Sequence, residues 1–173
     1  MIKRLAEREL RTKFGTFKEV LYYDGQAESI AITMGEVTGG RDVLARIHSH
    51  CIGAHVFNSI ECTCREEMEA AQAMIQQEGR GVIIWLDQEG KGNGHLALIE
   101  SIPFKQAGFS QAVAYEKAGF VADARTFRPA AEMLQDLNVE SIILISNSEQ
   151  KADDLRRDSI NVSGIRNFAN DLI

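Results

Sequence analysis

Three cysteines that lie close together in the sequence could hold a metal ion. Cys51 is followed by ten residues and then by Cys62-Thr63-Cys64, directly before a run of strong helix formers that begins at Arg65. Three thiolates form a soft site that suits zinc, and a helix N-terminus favours the negative charge gathered there. An odd, crowded set of cysteines fits a metal site in a reducing compartment better than a disulfide framework. The spacing therefore predicts one zinc ion per chain.

The residues alone leave the role of this zinc open. Three ligands leave a fourth tetrahedral position for water, as in catalytic sites where bound water ionises near neutral pH. A fourth ligand from His48, His50 or His55 would instead make the site purely structural. A third alternative is three buried thiols without a metal, because cysteine is among the residues most often found inside proteins.

Composition limits the classes of protein to which this chain can belong. Its 173 residues are 45% hydrophobic, which suits a single domain over residues 1–173 with one sizeable core. A net charge of −6 argues against a nucleic-acid partner, which would require a basic surface. The charged N-terminus and the lack of an 18-residue apolar run predict a soluble, cytoplasmic protein without a membrane partner.

The elements that must position the cysteines follow from the residue pattern. Residues 15–23, 29–33 and 43–48 mix β-branched, aromatic and alternating residues, and predict an opening run of antiparallel strands. Two continuous apolar runs, 82–86 and 142–145, are typical of strands buried on both faces. Helical spacing predicts helices at 65–79, 111–117, 129–137 and 150–157. The predicted fold class is α/β (α+β), a mixed sheet with flanking helices.

Six sequence motifs occur in a characteristic order. They are ARIHSHC, CTC ten residues later, EEMEAA, QEGKGNG, GFVADARTF and SNSEQK. In order and spacing they resemble the motifs of the GTP cyclohydrolase II family, of the riboflavin-biosynthesis type. The resemblance extends from about Arg4 to Gly164, nearly the whole chain.

This resemblance implies a particular chemistry. In the family, zinc-bound water attacks C8 of guanine, the imidazole ring opens with release of formate, and pyrophosphate is cleaved from the triphosphate with magnesium. The zinc ligands map to Cys51, Cys62 and Cys64, the proton-accepting aspartate to Asp123, and the proposed nucleophile at the α-phosphate to Arg125. Family members are commonly homodimers, so a homodimer that binds a small nucleotide or heterocycle is expected here. The implied substrate-binding positions are Arg46, His48, Ser49, His50, Glu67, Glu89, Gly90, Lys91, Gln111, Ser146 and Lys151.

Several of these positions differ from the family pattern. Asp87 and Lys91 each replace an arginine, so a triphosphate would lose two guanidinium donors. The negative charge of Asp87 would also repel it. His50 replaces a glutamate that can accept hydrogen bonds from guanine. Further changes are Ile102 for a tyrosine, Glu67 for a glutamine and Gln111 for a threonine.

The departures define two alternatives to a GTP cyclohydrolase. One is a divergent enzyme that hydrolyses another cyclic amide or amidine. Its substrate would be less anionic than GTP, and it would release no pyrophosphate. The other is a catalytically silent, zinc-stabilised binding module with His50 or His55 as the fourth ligand. The retained metal ligands and Asp123 favour an enzyme.

Overall fold

A computed structural model describes residues 1–168 of the chain. Seven strands form one sheet: β1 (Lys3–Thr12), β2 (Gly15–Tyr23), β3 (Glu28–Met34), β4 (Val43–Ser49), β5 (Gly81–Leu86), β6 (Ile142–Ile145) and β7 (Val162–Arg166). Six helices flank it: α1 (Ile52–Phe57), α2 (Cys64–Glu78), α3 (His95–Gln106), α4 (Gln111–Lys117), α5 (Arg128–Asp136) and α6 (Glu149–Arg157). The end of the predicted domain, residues 169–173, lies outside the described residues, and the single-domain boundary stays a prediction.

The sheet is mixed, with strand order β1-β2-β3-β5-β4-β6-β7. The pairs β1–β2, β2–β3 and β3–β5 are antiparallel, whereas β5–β4, β4–β6 and β6–β7 are parallel. Parallel neighbours require crossover connections, and α2 and α6 occupy two of them. The α/β class with an opening antiparallel part and flanking helices is therefore confirmed.

The prediction that residues 43–48 continue the antiparallel run was wrong. β4 pairs in parallel with β5 on one side and with β6 on the other. All of its residues except Ser49 are buried, as expected of a central strand covered on both faces. The alternation that suggested an antiparallel strand carries no information about the direction of its neighbours.

Helices cover both faces of the sheet. On one face Ala71 and Ile75 of α2 pack with Leu44, Ile83 and Ile145. The opposite face packs against α5 and α6 in a larger cluster, which includes Met133 and Leu155. Burial on both faces explains why β5 and β6 appear in the sequence as continuous apolar runs.

Four elements were not predicted. The edge strand β1 is largely exposed, and its charged side chains form surface ion pairs such as Arg8–Glu19, which hide the usual strand pattern. Helix α3 contains Pro103, a residue that normally ends a helix. The other two, α1 and β7, are only six and five residues long.

Within residues 1–168, none of the helices combines the length and the apolar composition that a membrane crossing requires.

Candidate active site

The predicted site residues gather at one edge of the sheet. Strands β4, β5 and β6 are parallel, so their carboxyl ends, Ser49, Leu86 and Ile145, meet at the same edge. Of the strands that follow β4 in the chain, β5 pairs with one side of β4 and β6 with the other. In open α/β sheets such a reversal leaves a crevice beyond the carboxyl ends of the strands, where ligands bind. The segments 50–51, 87–92 and 146–151 follow the three strands. Sheet topology thus brings together motifs that are far apart in the sequence.

The three cysteine thiols form a compact cluster. Cys51 directly precedes α1, and Cys64 is the first residue of α2. Their sulfur atoms and that of Cys62 all lie within 4.8 Å of one another, and Sγ of Cys51 is 3.6 Å from Sγ of Cys62. Tetrahedral zinc with Zn–S bonds of about 2.3 Å sets sulfur atoms about 3.8 Å apart. The donor set therefore fits a zinc ion.

The nearby histidines have other partners. Nε2 of His48 lies 3.2 Å from Nε2 of His55. Nδ1 of His50 lies 3.2 Å from Oδ1 of Asp87. The His50 ring centroid is 5.0 Å from the ring centroid of Trp85. Throughout the described part of the chain, no histidine nitrogen joins the cysteine group. This geometry favours the three-ligand alternative over a closed Cys₃His site.

Burial governs protonation around the cluster. It raises the pKa of the Cys51 and Cys64 thiols in the metal-free chain. Burial also lowers the pKa of His48 to about 2, and the charges of Arg46 and Lys151 act in the same direction. His48 is therefore neutral at any working pH, whereas the thiols must lose protons when a metal binds.

A cavity of about 480 Å³ lies near the cysteine cluster, although none of the three cysteines lines it. Glu67 connects the two, because it lines the cavity and lies three residues after Cys64, on the same face of α2. Its Oε1 also accepts a 3.2 Å hydrogen bond from Oγ1 of Thr63. Seven predicted site residues line the cavity: Arg46, Glu67, Lys91, Asp123, Arg125, Ser146 and Lys151.

Two cations at the base of this cavity are held by protein groups. Arg46 is only 6% exposed and forms an ion pair with Glu67 through Nη2. Its Nη1 donates to the carbonyl of Ile145 at 3.1 Å. Nζ of Lys151 donates to the carbonyl of Ile47 at 2.5 Å, and burial together with the charges of Arg46 and Arg125 holds the pKa of Lys151 well below its usual value.

Asp123 and Arg125 form a bidentate pair at the cavity wall. Nε of Arg125 lies 2.9 Å from Oδ1 of Asp123, and Nη2 lies 2.6 Å from Oδ2. Burial acts to raise the pKa of Asp123, but the hydrogen bonds and charge of Arg125 outweigh it and hold this pKa below its usual value. Asp123 is therefore a carboxylate at neutral pH.

The remaining predicted residues do not line the cavity. Ser49 accepts a 3.2 Å hydrogen bond from Gln88. Glu89 accepts one from the backbone N–H of Ile52 at 3.0 Å and pairs with His95 at 3.1 Å, so it fixes the start of α1 beside Cys51. The others outside the lining are His48 and His50, described above, the buried Gly90, and Gln111, whose Nε2 is buried with no hydrogen-bond partner among residues 1–168.

Gly92 supports the Asp123 segment, and sequence reasoning missed it. The carbonyl of Lys91 accepts a 2.8 Å hydrogen bond from the N–H of Ala124. A Cβ on Gly92 would lie 2.7 Å from the carbonyl carbon of Ala124 and 2.9 Å from the nitrogen of Arg125. Gly92 also has a φ of +80°. The dense glycines of QEGKGNG were the only signal that could have pointed to this close approach.

Gly92→Ala should destabilise the protein more than Gly94→Ala. Both residues have positive φ, which costs a non-glycine residue about 1–3 kcal/mol. Only at Gly92 does the added Cβ meet backbone, since nothing lies within 4 Å at Gly94. Overpacking adds about 1–3 kcal/mol. Urea unfolding of both variants measures the difference in the free energy of unfolding, and equal losses would contradict the close packing against Ala124.

The fold and the site together define an α/β protein with a candidate metal centre beside a charged cavity. The chain belongs to the family described as GTP cyclohydrolase II, which matches residues 3–167. The family is one of enzymes, and the cysteine cluster is compatible with a metal ion in such an enzyme. The predicted family membership is confirmed.

Curated relatives include proteins named riboflavin biosynthesis protein RibBA. One from Bacillus cereus is 38% identical over 153 residues, which is 87% of this chain and 38% of the relative. Another from Bacillus cytotoxicus is 36% identical over 152 residues, with the same coverage. The chain thus spans little more than a third of the length of these relatives.

A solved structure shares the fold. It is described as RibBX, a two domain 3,4-dihydroxy-2-butanone 4-phosphate synthase from A. baumannii, and matches with a TM-score of 0.55. The match covers 98% of this chain and 40% of that chain, at 19% identity. At this identity the likeness concerns the fold alone.

Proposed function

We propose that this chain is a zinc-dependent cyclohydrolase that opens the imidazole ring of a purine nucleotide, with GTP as the first candidate, and releases formate. The observation that carries the proposal is the three-thiol cluster at the start of α2, where Glu67, one turn further along the helix, lines a cavity that contains Asp123 and Arg125. Family membership supports the same reaction class. The proposed metal ligands are Cys51, Cys62 and Cys64.

The proposed chemistry divides between the metal and the protein. A zinc ion, when bound, supplies a nucleophile from water near neutral pH. Asp123 accepts a proton and returns it to the leaving nitrogen, a role that requires a carboxylate able to exchange protons. The Arg125 hydrogen bonds keep Asp123 ionised and fix its orientation. The cavity walls hold the heterocycle against these groups.

Arg125 has a second proposed role at a phosphorylated substrate. Its guanidinium is the cavity's bidentate donor nearest Asp123, and such forks suit phosphate oxygens. As the structure stands, Nε and Nη2 are engaged by Asp123. Attack at the α-phosphate, with magnesium bound by the phosphates, would require Arg125 to release that carboxylate. Pyrophosphate cleavage is therefore the half of the reaction that we expect to be weaker.

A second candidate is hydrolysis of another cyclic amide or amidine without release of pyrophosphate. Arg46 and His50 stand at predicted substrate-binding positions, but Arg46 is paired with Glu67 and His50 with Asp87. Both side chains are therefore less available to GTP. A non-catalytic zinc module has less support, because no histidine joins the cysteine cluster among the described residues.

The cellular setting is also proposed. The names of the relatives support a product that enters riboflavin biosynthesis. We propose a cytoplasmic homodimer, as expected from the family resemblance, and sedimentation of the zinc-loaded chain measures its mass directly.

Separate assays for formate and pyrophosphate test the proposed function. The zinc-loaded chain is incubated with GTP and magnesium, and each product is measured independently. Formate together with pyrophosphate supports a complete GTP cyclohydrolase II reaction. Formate alone supports ring opening without chemistry at Arg125. If neither product forms from GTP while zinc binds at one ion per chain, GTP is excluded as the substrate, and other purine and cyclic amidine compounds are assayed for ring opening.

A further inference from the structure

The cavity beside the cysteine cluster carries little net charge. Its charged lining residues are four cations, Arg46, Lys91, Arg125 and Lys151, and three anions, Glu67, Asp123 and Asp154. Their formal sum is +1. A divalent zinc ion with three thiolates adds −1 next to the cavity, so the combined site is close to neutral.

Two of the four cations already have anionic partners. The Arg46 guanidinium is buried against Glu67, and the Arg125 guanidinium is paired through two nitrogens with Asp123. A guanidinium whose charge is already offset by a carboxylate attracts a second anion less strongly than a free one does.

Two lysines remain for an incoming anion. Within the described residues, the Lys91 ammonium has neither an ion pair nor a hydrogen bond, whereas the Lys151 ammonium donates to the carbonyl of Ile47. Burial and the neighbouring charges of Arg46 and Arg125 disfavour the protonated form of Lys151, and an anion beside it would stabilise that form. The site therefore offers roughly one to two uncommitted positive charges.

We propose that this cavity selects a ligand with a single phosphate group over one with a triphosphate, and that Glu67 sets this selection by engaging Arg46. A phosphate monoester carries about −1.5 to −2 charges and a triphosphate about twice that number, so only the monoester matches the free cations. The inference rests on the proposed function, because it assigns the anion class to the substrate of that same site. Among purine nucleotides it favours one with a single phosphate over GTP.

Inorganic phosphate and tripolyphosphate are the probes. Isothermal titration of the zinc-loaded chain without magnesium should show that phosphate binds more tightly than tripolyphosphate. In Glu67→Gln, Arg46 is released to form a guanidinium fork, so tripolyphosphate should bind at least about tenfold more tightly, while phosphate changes less than about threefold. The zinc content is measured after each titration.

Two further variants complete the test. Glu69→Gln removes a carboxylate two residues further along α2 that pairs with Lys13 at the surface, and it should change neither affinity. Lys91→Ala should weaken phosphate at least about tenfold, which distinguishes the cavity from binding at the zinc alone. Lys91→Ala also tests the site without removing the partner of the buried Arg46.

Three results would overturn the inference: no binding of either anion, tripolyphosphate binding as tightly as phosphate or more tightly in the native chain, or an unchanged preference in Glu67→Gln. These titrations do not depend on ring opening. A chain that releases formate from GTP but prefers tripolyphosphate would refute only the anion selection. A chain with the expected anion preference but no formate from any heterocycle would refute only the proposed function.

Discussion

Cys51→Ser should retain less than about a tenth of a zinc ion per chain and should lower formate release at least about a hundredfold. The Sγ of Cys51 lies 3.6 Å from that of Cys62, so its loss leaves two sulfur ligands. Loss of a residue that merely supports a metal ligand typically costs 10–100-fold, and loss of the ligand itself should cost no less. Elemental analysis and a formate assay on the same preparation measure both effects.

Thr63→Ser is the matched control for this variant. Thr63 lies between the two cysteines of the second segment, and its hydroxyl donates to Glu67, a bond that serine can also make. The control should keep one zinc per chain and its full activity. Normal zinc content in Cys51→Ser would contradict the assignment of Cys51 as a ligand.

Asp123→Asn should lower kcat by about 10²- to 10⁴-fold without loss of zinc, the range typical of a missing general acid–base. Asparagine keeps the shape of the side chain but can no longer accept the proton. Steady-state kinetics and elemental analysis separate this outcome from a metal defect. An unchanged kcat would remove Asp123 from the mechanism.

Asp153→Asn provides the control carboxylate. Asp153 is exposed on α6 and pairs with Arg156 on the same helix, so kcat should stay unchanged.

The pH profile of kcat adds a second test of the role of Asp123. Because the pKa of Asp123 is lowered, its base form persists as the pH falls and is lost only below its usual value of 3.8. An activity loss between pH 5 and 7 must therefore come from a different group.

The fold was predictable where each element carries its own local signal. Helix α2 ends at Glu78, followed by Gly79 in a left-handed conformation, which agrees with the helix predicted at 65–79. The direction of β4 was not predictable, because burial on both faces gives the same apolar pattern in either direction. The strand β1 escaped prediction because its exposed charges pair across the surface.

The candidate site was predictable as a set of residues, but not as an arrangement. The cysteine spacing alone indicated a metal cluster, and their sulfur atoms do lie together. Motif resemblance indicated Arg46 and Glu67 as separate substrate contacts. Their mutual ion pair joins residues 21 positions apart and depends on how α2 packs on β4. The same holds for Gly92, whose importance arises only from the backbone of Ala124.

Zinc titration of the metal-free chain tests the account most directly. Zinc is added in steps up to two ions per chain, and formate release from GTP is measured at each step alongside bound zinc. The account predicts that formate release rises in proportion to bound zinc and reaches its plateau at one ion per chain. Formate release that is independent of zinc, or its absence from a chain with one zinc bound, would contradict zinc-dependent opening of GTP.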